Sequence, residues 1–197
     1  MNLIIDPNPK DDQYSLNSAL ARRLAQERGG ETNVLRLYEG DQRYFNYEYN
    51  QKWIDLVVGA RCLIFPVPMW NFSIPASLKD FFDKIIQRGK LWDFDENKNY
   101  VGLLQKHSAY IIMTSGDYFP MDSPKDFVVP YLRTILKFLG IGQVEDFRIG
   151  GVRNKNFVND PVYLDEKTQE MFTAFGIKHR ALASDANEKI NEKKRFQ

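Results

Sequence analysis

The sequence has few of the residues that build covalent or metal-based active sites. It holds one cysteine, Cys62, which excludes a disulfide framework and a cysteine metal site within one chain. Cys62 lies in an apolar run, so we interpret it as a core residue and not as a nucleophile. The two histidines, His107 and His179, are far apart and lack metal-ligand spacing. The composition therefore argues against a catalytic triad and against a resident metal.

Charge of one sign, long apolar runs and glycine-rich nucleotide motifs are also lacking. Lys and Arg number 27 against 26 Asp and Glu, so no broad basic face for nucleic acid is expected. No run of eighteen apolar residues exists, and Met1 leads into a strand-like segment without a signal-peptide pattern. Neither GxGxxG nor GxxxxGK[ST] is present. We expect a cytoplasmic protein with no membrane or nucleic-acid partner and one domain over residues 1–197.

Short apolar segments alternate with helical periodicity, which is typical of a parallel α/β sheet with helices on both faces. Strand-like runs lie at residues 2–6, 32–37, 62–65, 108–114 and 145–149. The clearest helix follows the third run, where apolar residues recur at i, i+3, i+4, i+7 and i+8 from Leu78. We expect Ser73 to cap this helix and Gly89 to end it, and Pro66 and Pro68 to end the strand before it.

Other helices are predicted after Ser15, from Trp53 to Gly59, around residues 128–139 and from Leu164, with Leu182 on the apolar face of the last one. Residues 89–105 show no clear period. Aromatic residues scattered through residues 38–49 predict a surface excursion, whose rings pack against a partner, line a pocket mouth or anchor the loop to its own domain.

Three loops with ligand-binding character follow strands of the predicted sheet, at the edge where doubly wound sheets bind ligands. The first ends at Ser15, where a helix start favours an anion, although a lone serine at such a position is more often only a cap. The second, residues 67–72, combines prolines and an asparagine with large apolar side chains, which favours a site for a flat heterocycle over a core plug. The third, residues 115–120, is rich in turn residues.

At these residues the sequence resembles the FMN-dependent NADH azoreductase and quinone reductase family, within the flavodoxin-like NAD(P)H:quinone oxidoreductases. The resemblance covers most of the chain. The matching stretches are the run from Pro68 to Pro75, the helix start Leu78 to Asp83, Tyr14-Ser15, Thr114-Ser115, Pro130 to Leu132 and Phe138 to Ile141. It implies a flavodoxin-like three-layer sandwich with a five-stranded parallel sheet of order 2-1-3-4-5 and helices on both faces.

The resemblance also implies a cofactor, FMN and not FAD, and a role for each loop. Ser15, Leu16 and Asn17 would hold the phosphate, with Asn8 in the first loop. The isoalloxazine would lie against Pro68, Met69, Trp70, Asn71 and Phe72, and its pyrimidine edge would meet Ser115, Gly116, Asp117 and Tyr118. The walls of the substrate site would be Trp70, Trp92, Phe94 and Phe119.

The chain departs from the family pattern in three places: Asn8 or Pro9 stands for a serine, Ser15-Leu16-Asn17 for Ser-x-Ser, and Ser115 to Tyr118 for Ser-Arg-Gly-Gly. Asp117 would place a carboxylate near the pyrimidine edge and lower the flavin reduction potential, unless it turns outward as a turn residue.

The implied activity is a ping-pong transfer of two electrons from NADH or NADPH to quinones, with azo or nitro compounds as further candidates, in a homodimer. The flavin would carry the chemistry, so no catalytic side chain is needed. Alternatives are a flavodoxin-like electron carrier or a flavin-binding module without turnover, and a receiver-like signalling domain. A carrier is disfavoured because the chain shows no acidic excess, and a receiver because Phe65 and Pro66 end strand 3 where an aspartate is needed.

Overall fold

The computed structural model describes residues 1–9, 15–38, 47–120, 122–153 and 160–177. Its elements, in chain order, are β1 (Asn2–Asp6), α1 (Leu16–Arg28), β2 (Thr32–Arg36), α2 (Tyr47–Gly59), β3 (Cys62–Pro68), α3 (Ala76–Ile85), β4 (Trp92–Phe94), β5 (Tyr100–Gly102), β6 (Ser108–Thr114), α4 (Val129–Phe138), β7 (Gln143–Ile149) and α5 (Pro161–Ala174).

The main sheet has five parallel strands in the order β2-β1-β3-β6-β7. The predicted order 2-1-3-4-5 is confirmed, because β6 and β7 are the fourth and fifth strands of this sheet. β3 and β6 pair over their full lengths, from Cys62 opposite Ser108 to Pro68 opposite Thr114. All five residues of β1 are buried, as expected for a central parallel strand.

Two hydrophobic cores lie on opposite faces of this sheet, which confirms the prediction of helices on both faces. One core joins the sheet to α1 and α5 and includes Leu20, Leu24 and Met171. The other joins it to α2, α3 and α4 and includes Phe81 and Leu132. No helix within the described residues combines the length and apolar character needed to cross a membrane.

The prediction that Pro66 and Pro68 end the third strand is wrong, because β3 continues to Pro68. The Asn8 side-chain amide donates to the Pro66 carbonyl at 3.2 Å, so the peptide groups of Pro66 face β1. The pairing of β1 with β3 stops two residues before Pro66, at Ile4 opposite Ile64. A proline fits there since no partner in the sheet needs its missing N–H.

Two predicted boundaries of α3 are also wrong. Ser73 does not cap the helix, because its backbone groups pair with those of Trp70 and the helix begins at Ala76 after Pro75. Gly89 does not end it, because the last helical residue is Ile85 and Gly89 lies in the next turn.

The irregular segment predicted at residues 89–105 instead contains an antiparallel hairpin, β4 and β5. This hairpin lies at the amino edge of the main sheet, because Leu104 N–H bonds to Leu139 O at the end of α4. Gly102 and Gly140 touch there: a Cβ built on Gly102 would be 2.1 Å from the nitrogen of Gly140. Trp92, Phe94, Tyr100 and Phe138 form an aromatic cluster around the hairpin.

Other differences concern element lengths. α2 begins at Tyr47, several residues before the helix predicted from Trp53, and α5 begins at Pro161, before the predicted start at Leu164. Most of the excursion predicted at residues 38–49 and the predicted core residue Leu182 lie outside the described residues.

Candidate functional site

The predicted ligand loops meet at the carboxyl edge of the sheet. The strands are parallel, so β1, β3, β6 and β7 all end at this edge, and α1 and α3 begin there. The site therefore combines the start of α1 with the loops that follow β3, β6 and β7. Among the described residues, no group of three or more His, Cys, Asp or Glu could hold a metal ion.

The start of α1 has the features of an anion site. Ser15 is the N-cap, α1 has 13 residues, and its first turn carries no acidic residue. The first backbone N–H groups of such a helix, those of Leu16 and Asn17, have no partner within the helix. Asn17 is 2% exposed, and its amide nitrogen has no hydrogen-bond partner among the described residues. A buried, unpaired donor at a helix start fits an anionic ligand group.

A second layer of polar groups lies behind this helix start. Asn8 was predicted to contact the cofactor, but its amide nitrogen donates inward to Asp6 Oδ1 at 2.6 Å and to Ser18 Oγ at 2.9 Å. Asp6 is 1% exposed and also accepts the Asn8 backbone N–H at 2.9 Å. Asn8 therefore supports the loop from beneath, and Asp6 and Ser18 are members of the site that the sequence did not reveal.

The loop after β3 is a tight turn with strained backbone. Trp70 and Ser73 exchange two backbone hydrogen bonds of 3.0 Å each, and the residues between them, Asn71 and Phe72, have φ of 49° and 68°. Asparagine tolerates this left-handed conformation, but for phenylalanine it costs on the order of 1–3 kcal/mol. Strain of this kind is retained where the turn has a role, here to hold Trp70 and Phe72 at the surface, 41% and 48% exposed.

The loop after β6 is joined to the segment after β7. Ser115 Oγ donates to Asp117 O at 2.7 Å, and the Val152 N–H donates to Ser115 O at 3.1 Å. Asp117 pairs with Arg153 at 2.9 Å between two exposed side chains. A Cβ on Gly150 would lie 2.7 Å from Tyr118 Cα, so only glycine allows this approach. Gly150-Gly151 is the sequence signal that could have indicated this close approach.

Aromatic rings, exposed except for the half-buried Phe119, surround the turn. Phe119 stands edge-on to Phe72 with ring centroids 6.2 Å apart, and Tyr38 lies 6.4 Å from Trp70. The Phe127 N–H donates to Phe72 O at 3.1 Å. We call these five residues, Tyr38, Trp70, Phe72, Phe119 and Phe127, the aromatic rim.

A buried carboxylate anchors the Phe127 side of the rim. Asp126 Oδ1 accepts the N–H groups of Val128 at 2.9 Å and Val129 at 3.1 Å, at the start of α4. Its other oxygen accepts from Arg148 of β7 at 2.7 Å, and its side chain is 1% exposed. The contact between Phe127 and Phe72 is therefore tied to both α4 and the sheet.

Two predicted substrate residues do not join the site. Trp92 and Phe94 belong to the hairpin at the amino edge, whereas the aromatic rim lies at the carboxyl edge. Their assignment as walls of the same pocket is therefore wrong for a site formed by one chain. The aromatic cluster of the hairpin packs against Phe138 instead.

The thiol in β3 is a core group. Cys62 is a buried free cysteine at the amino end of the strand. Burial raises its pKa, an effect that the Arg28 guanidinium opposes. Burial likewise raises the pKa of the neighbouring Tyr110. A protonated thiol away from the carboxyl edge agrees with our interpretation of Cys62 as a packing residue.

The sequence matches a known protein family, and the fold resembles solved structures. A family model described as a flavodoxin-like fold matches residues 2–171. Among solved structures, an FMN-dependent NADH-azoreductase from Bacillus anthracis, in complex with FMN, aligns with a TM-score of 0.72 and 20% identity, over 90% of this chain and 99% of that one.

Curated relatives match over shorter stretches. An FMN-dependent NADH:quinone oxidoreductase from Beijerinckia indica is 34% identical over 110 residues, which is 55% of this chain and 54% of that protein. Another of the same name from Vibrio parahaemolyticus is 41% identical over 92 residues, 47% of this chain and 46% of that protein. The chain thus spans about half the length of the curated relatives it matches.

Proposed function

Because the chain belongs to the family with the flavodoxin-like fold, whose model matches residues 2–171, we propose that it is an FMN-dependent NAD(P)H:quinone oxidoreductase. One observation carries the proposal: an anion-binding helix start with an unpaired Asn17 amide shares the carboxyl edge with a strained aromatic turn. The names of the curated relatives support this activity. Azo compounds are proposed as a second class of acceptor, since structural neighbours are azoreductases.

The residues at this edge fit FMN. Leu16 and Asn17, with Ser15 beside them, would hold the single phosphate. The ring system would lie against the turn from Pro68 to Phe72, and its pyrimidine edge would meet the loop from Ser115 to Tyr118. When bound, FMN would supply two-electron redox chemistry between NADH or NADPH and an acceptor.

The chain itself would bind the flavin and the substrates, orient them and shield them from water. Trp70 and Phe119 of the aromatic rim offer apolar faces on which a nicotinamide or a quinone can lie. The backbone bonds between Trp70 and Ser73 and from Phe127 to Phe72 hold Phe72 in its strained conformation, which favours a fixed position of this turn over a mobile one. In this proposal the protein contributes placement of two flat partners in turn, and no side chain acts as an acid or base.

Spectroscopy and turnover test the proposal. The purified protein, reconstituted with FMN, should be yellow, lose its visible absorbance with NADH or NADPH, and reduce menadione or methyl red. The extracted chromophore should be FMN. Trp70→Ala should slow turnover, whereas Tyr100→Ala, an exposed aromatic on the hairpin at the amino edge, should not. FAD in the extract, or no flavin bound, contradicts the cofactor; reduction without transfer to any acceptor indicates an electron carrier instead.

We also propose that the protein is a cytoplasmic homodimer with its sites at the interface. The aromatic rim leaves Trp70, Phe72 and Phe127 exposed, and a patch of this kind is typical of an interaction surface. Light scattering at micromolar concentration should give twice the chain mass. A mass near 23.1 kDa contradicts the dimer.

A further inference from the structure

A chain of hydrogen bonds runs beneath the start of α1, from Asp6 through Asn8, Ser18 and Ser15 to Asn17. Asp6, Asn8, Asn17 and Ser18 are buried and Ser15 is half-buried, so most of these bonds are shielded from water. Because a buried network is determined by which groups can donate, its direction can be worked out from the chemistry of each member.

The direction starts at Asn8. The Asn8 amide nitrogen can only donate, and its two N–H groups face three acceptors: Asp6 Oδ1 at 2.6 Å, Ser18 Oγ at 2.9 Å and Pro66 O at 3.2 Å. The Pro66 contact is the longest of the three, so we assign the second N–H to Ser18 Oγ, which accepts it. The Ser18 proton is then available to Ser15 Oγ at 2.9 Å. Ser15 in turn donates its own proton to Asn17 Oδ1 at 2.5 Å. The single proton of the Ser15 hydroxyl is therefore committed within the protein.

The same bonds fix the Asn17 amide. Its Oδ1 accepts from the Ser18 backbone N–H at 3.0 Å as well as from Ser15. A flipped amide would place Nδ2 against these two donors, which is unfavourable. The amide nitrogen is left as the free donor, and it has no partner among the described residues.

We propose that Ser15 is a positioning residue for the phosphate site and does not itself donate to the phosphate. It acts by orienting Asn17, whose amide nitrogen binds the phosphate together with the N–H groups of the first helical turn. This inference rests on the proposed flavin function. It differs from the role implied by the family resemblance, in which the serine at this helix start holds the phosphate directly.

A double-mutant cycle, in which the binding of FMN and of riboflavin is measured for each variant, tests the inference. Riboflavin lacks the phosphate, so a change confined to the phosphate site weakens FMN binding and leaves riboflavin binding unchanged. The variants are Asn17→Ala, Ser15→Gly and the double variant, with dissociation constants from quenching of flavin fluorescence. Glycine replaces Ser15 because helix N-caps tolerate it far better than alanine. Asn33→Ala, an asparagine that contacts Met1 at the amino edge, is the matched control.

Asn17→Ala should weaken FMN binding by about 10- to 100-fold, the range for a hydrogen bond to a charged group. Ser15→Gly should weaken it by about 3- to 10-fold, the range for a typical neutral hydrogen bond. The double variant should equal Asn17→Ala within about twofold, since Ser15 acts only through Asn17. Ser15→Thr, which keeps the hydroxyl, should bind FMN as tightly as the wild-type protein does.

Two results overturn this inference without affecting the proposed function. In one, the fold losses in FMN affinity of the two single variants multiply in the double variant. In the other, Ser15→Gly weakens riboflavin and FMN binding equally. Wild-type protein that binds neither flavin overturns the proposed function and this inference with it.

Discussion

Removing the Asp126 carboxylate should destabilise the protein and loosen the aromatic rim at once. Asp126→Ala deletes the acceptor of two N–H groups at the start of α4 and one partner of Arg148. It also frees the segment that carries Phe127, whose N–H bonds to Phe72. We therefore expect a lower free energy of unfolding together with weaker FMN binding.

The magnitude follows from the two losses. Loss of a helix-capping acceptor costs about 1 kcal/mol. Loss of a buried hydrogen bond between charged groups costs about 1.5–3 kcal/mol. Arg148 keeps its bond to Asp146 at 2.8 Å, so no further cost for an isolated charge is added. The total is about 2.5–4 kcal/mol, which for a chain of this size lowers Tm by about 5–16 °C.

Urea unfolding followed by circular dichroism measures this change. Asp126→Asn keeps the oxygen that caps α4 and loses the charge toward Arg148, so it should cost about 1.5–3 kcal/mol, less than the alanine variant. Asp122→Ala, an exposed carboxylate of the same segment, is the control and should be close to neutral. If Asp126→Ala is no more destabilising than Asp122→Ala, the buried carboxylate does not anchor the rim.

Three further changes test other features. Gly102→Ala should lower the free energy of unfolding in urea by about 1–3 kcal/mol or more, because its Cβ would meet backbone atoms at 2.1 Å. Gly142→Ala, which faces open space, should lower it little, and equal effects of the two variants would contradict the close contact. Native Cys62 should resist a thiol reagent at pH 8 and react on unfolding, and rapid labelling of the native protein would show that the thiol is not buried. Because burial raises the pKa of Cys62, its contribution to stability is present below pH 9.0 and is lost as the pH rises through the folded pKa. Asp117→Asn should raise the potential of bound FMN and Arg153→Gln should lower it in a dye-equilibration titration; shifts of the same sign would exclude electrostatic control by this pair.

Local periodicity predicted most of the fold. The apolar stripe from Leu78 marked α3, and the short apolar runs marked all five strands of the main sheet, because both patterns report burial of a face. The errors arose where tertiary contacts override local preference. β3 continues through Pro66 because its peptide groups face a gap in the ladder, and a three-residue strand such as β4 is too short to show a period.

The sequence predicts the loops and the helix start that form the site, but not the side-chain hydrogen bonds and ion pairs within it. Ser15 and the turn from Trp70 to Ser73 carry sequence signatures of a cap and a tight loop. Asp6 and Ser18 do not, because each contributes through the Asn8 side chain, which only the folded loop brings between them, and Arg153 does not, because its partner Asp117 lies 36 residues earlier. The prediction that Trp92 and Trp70 line one pocket does not hold within one chain for the same reason: residue type indicates an apolar wall, but only the topology places Trp92 at the amino edge and Trp70 at the carboxyl edge.

The hairpin at the amino edge offers an attachment point on the side of the molecule opposite the proposed site. Its tip is exposed, closed by Asp95 accepting the N–H groups of Asn97 and Asn99 at 2.8 Å each. Exposed tips of this kind accept insertions with little cost to the core. An affinity tag or a second protein domain inserted beside Lys98 would attach the protein to a surface or an electrode through the edge opposite the proposed site, and the aromatic rim would stay clear of that surface.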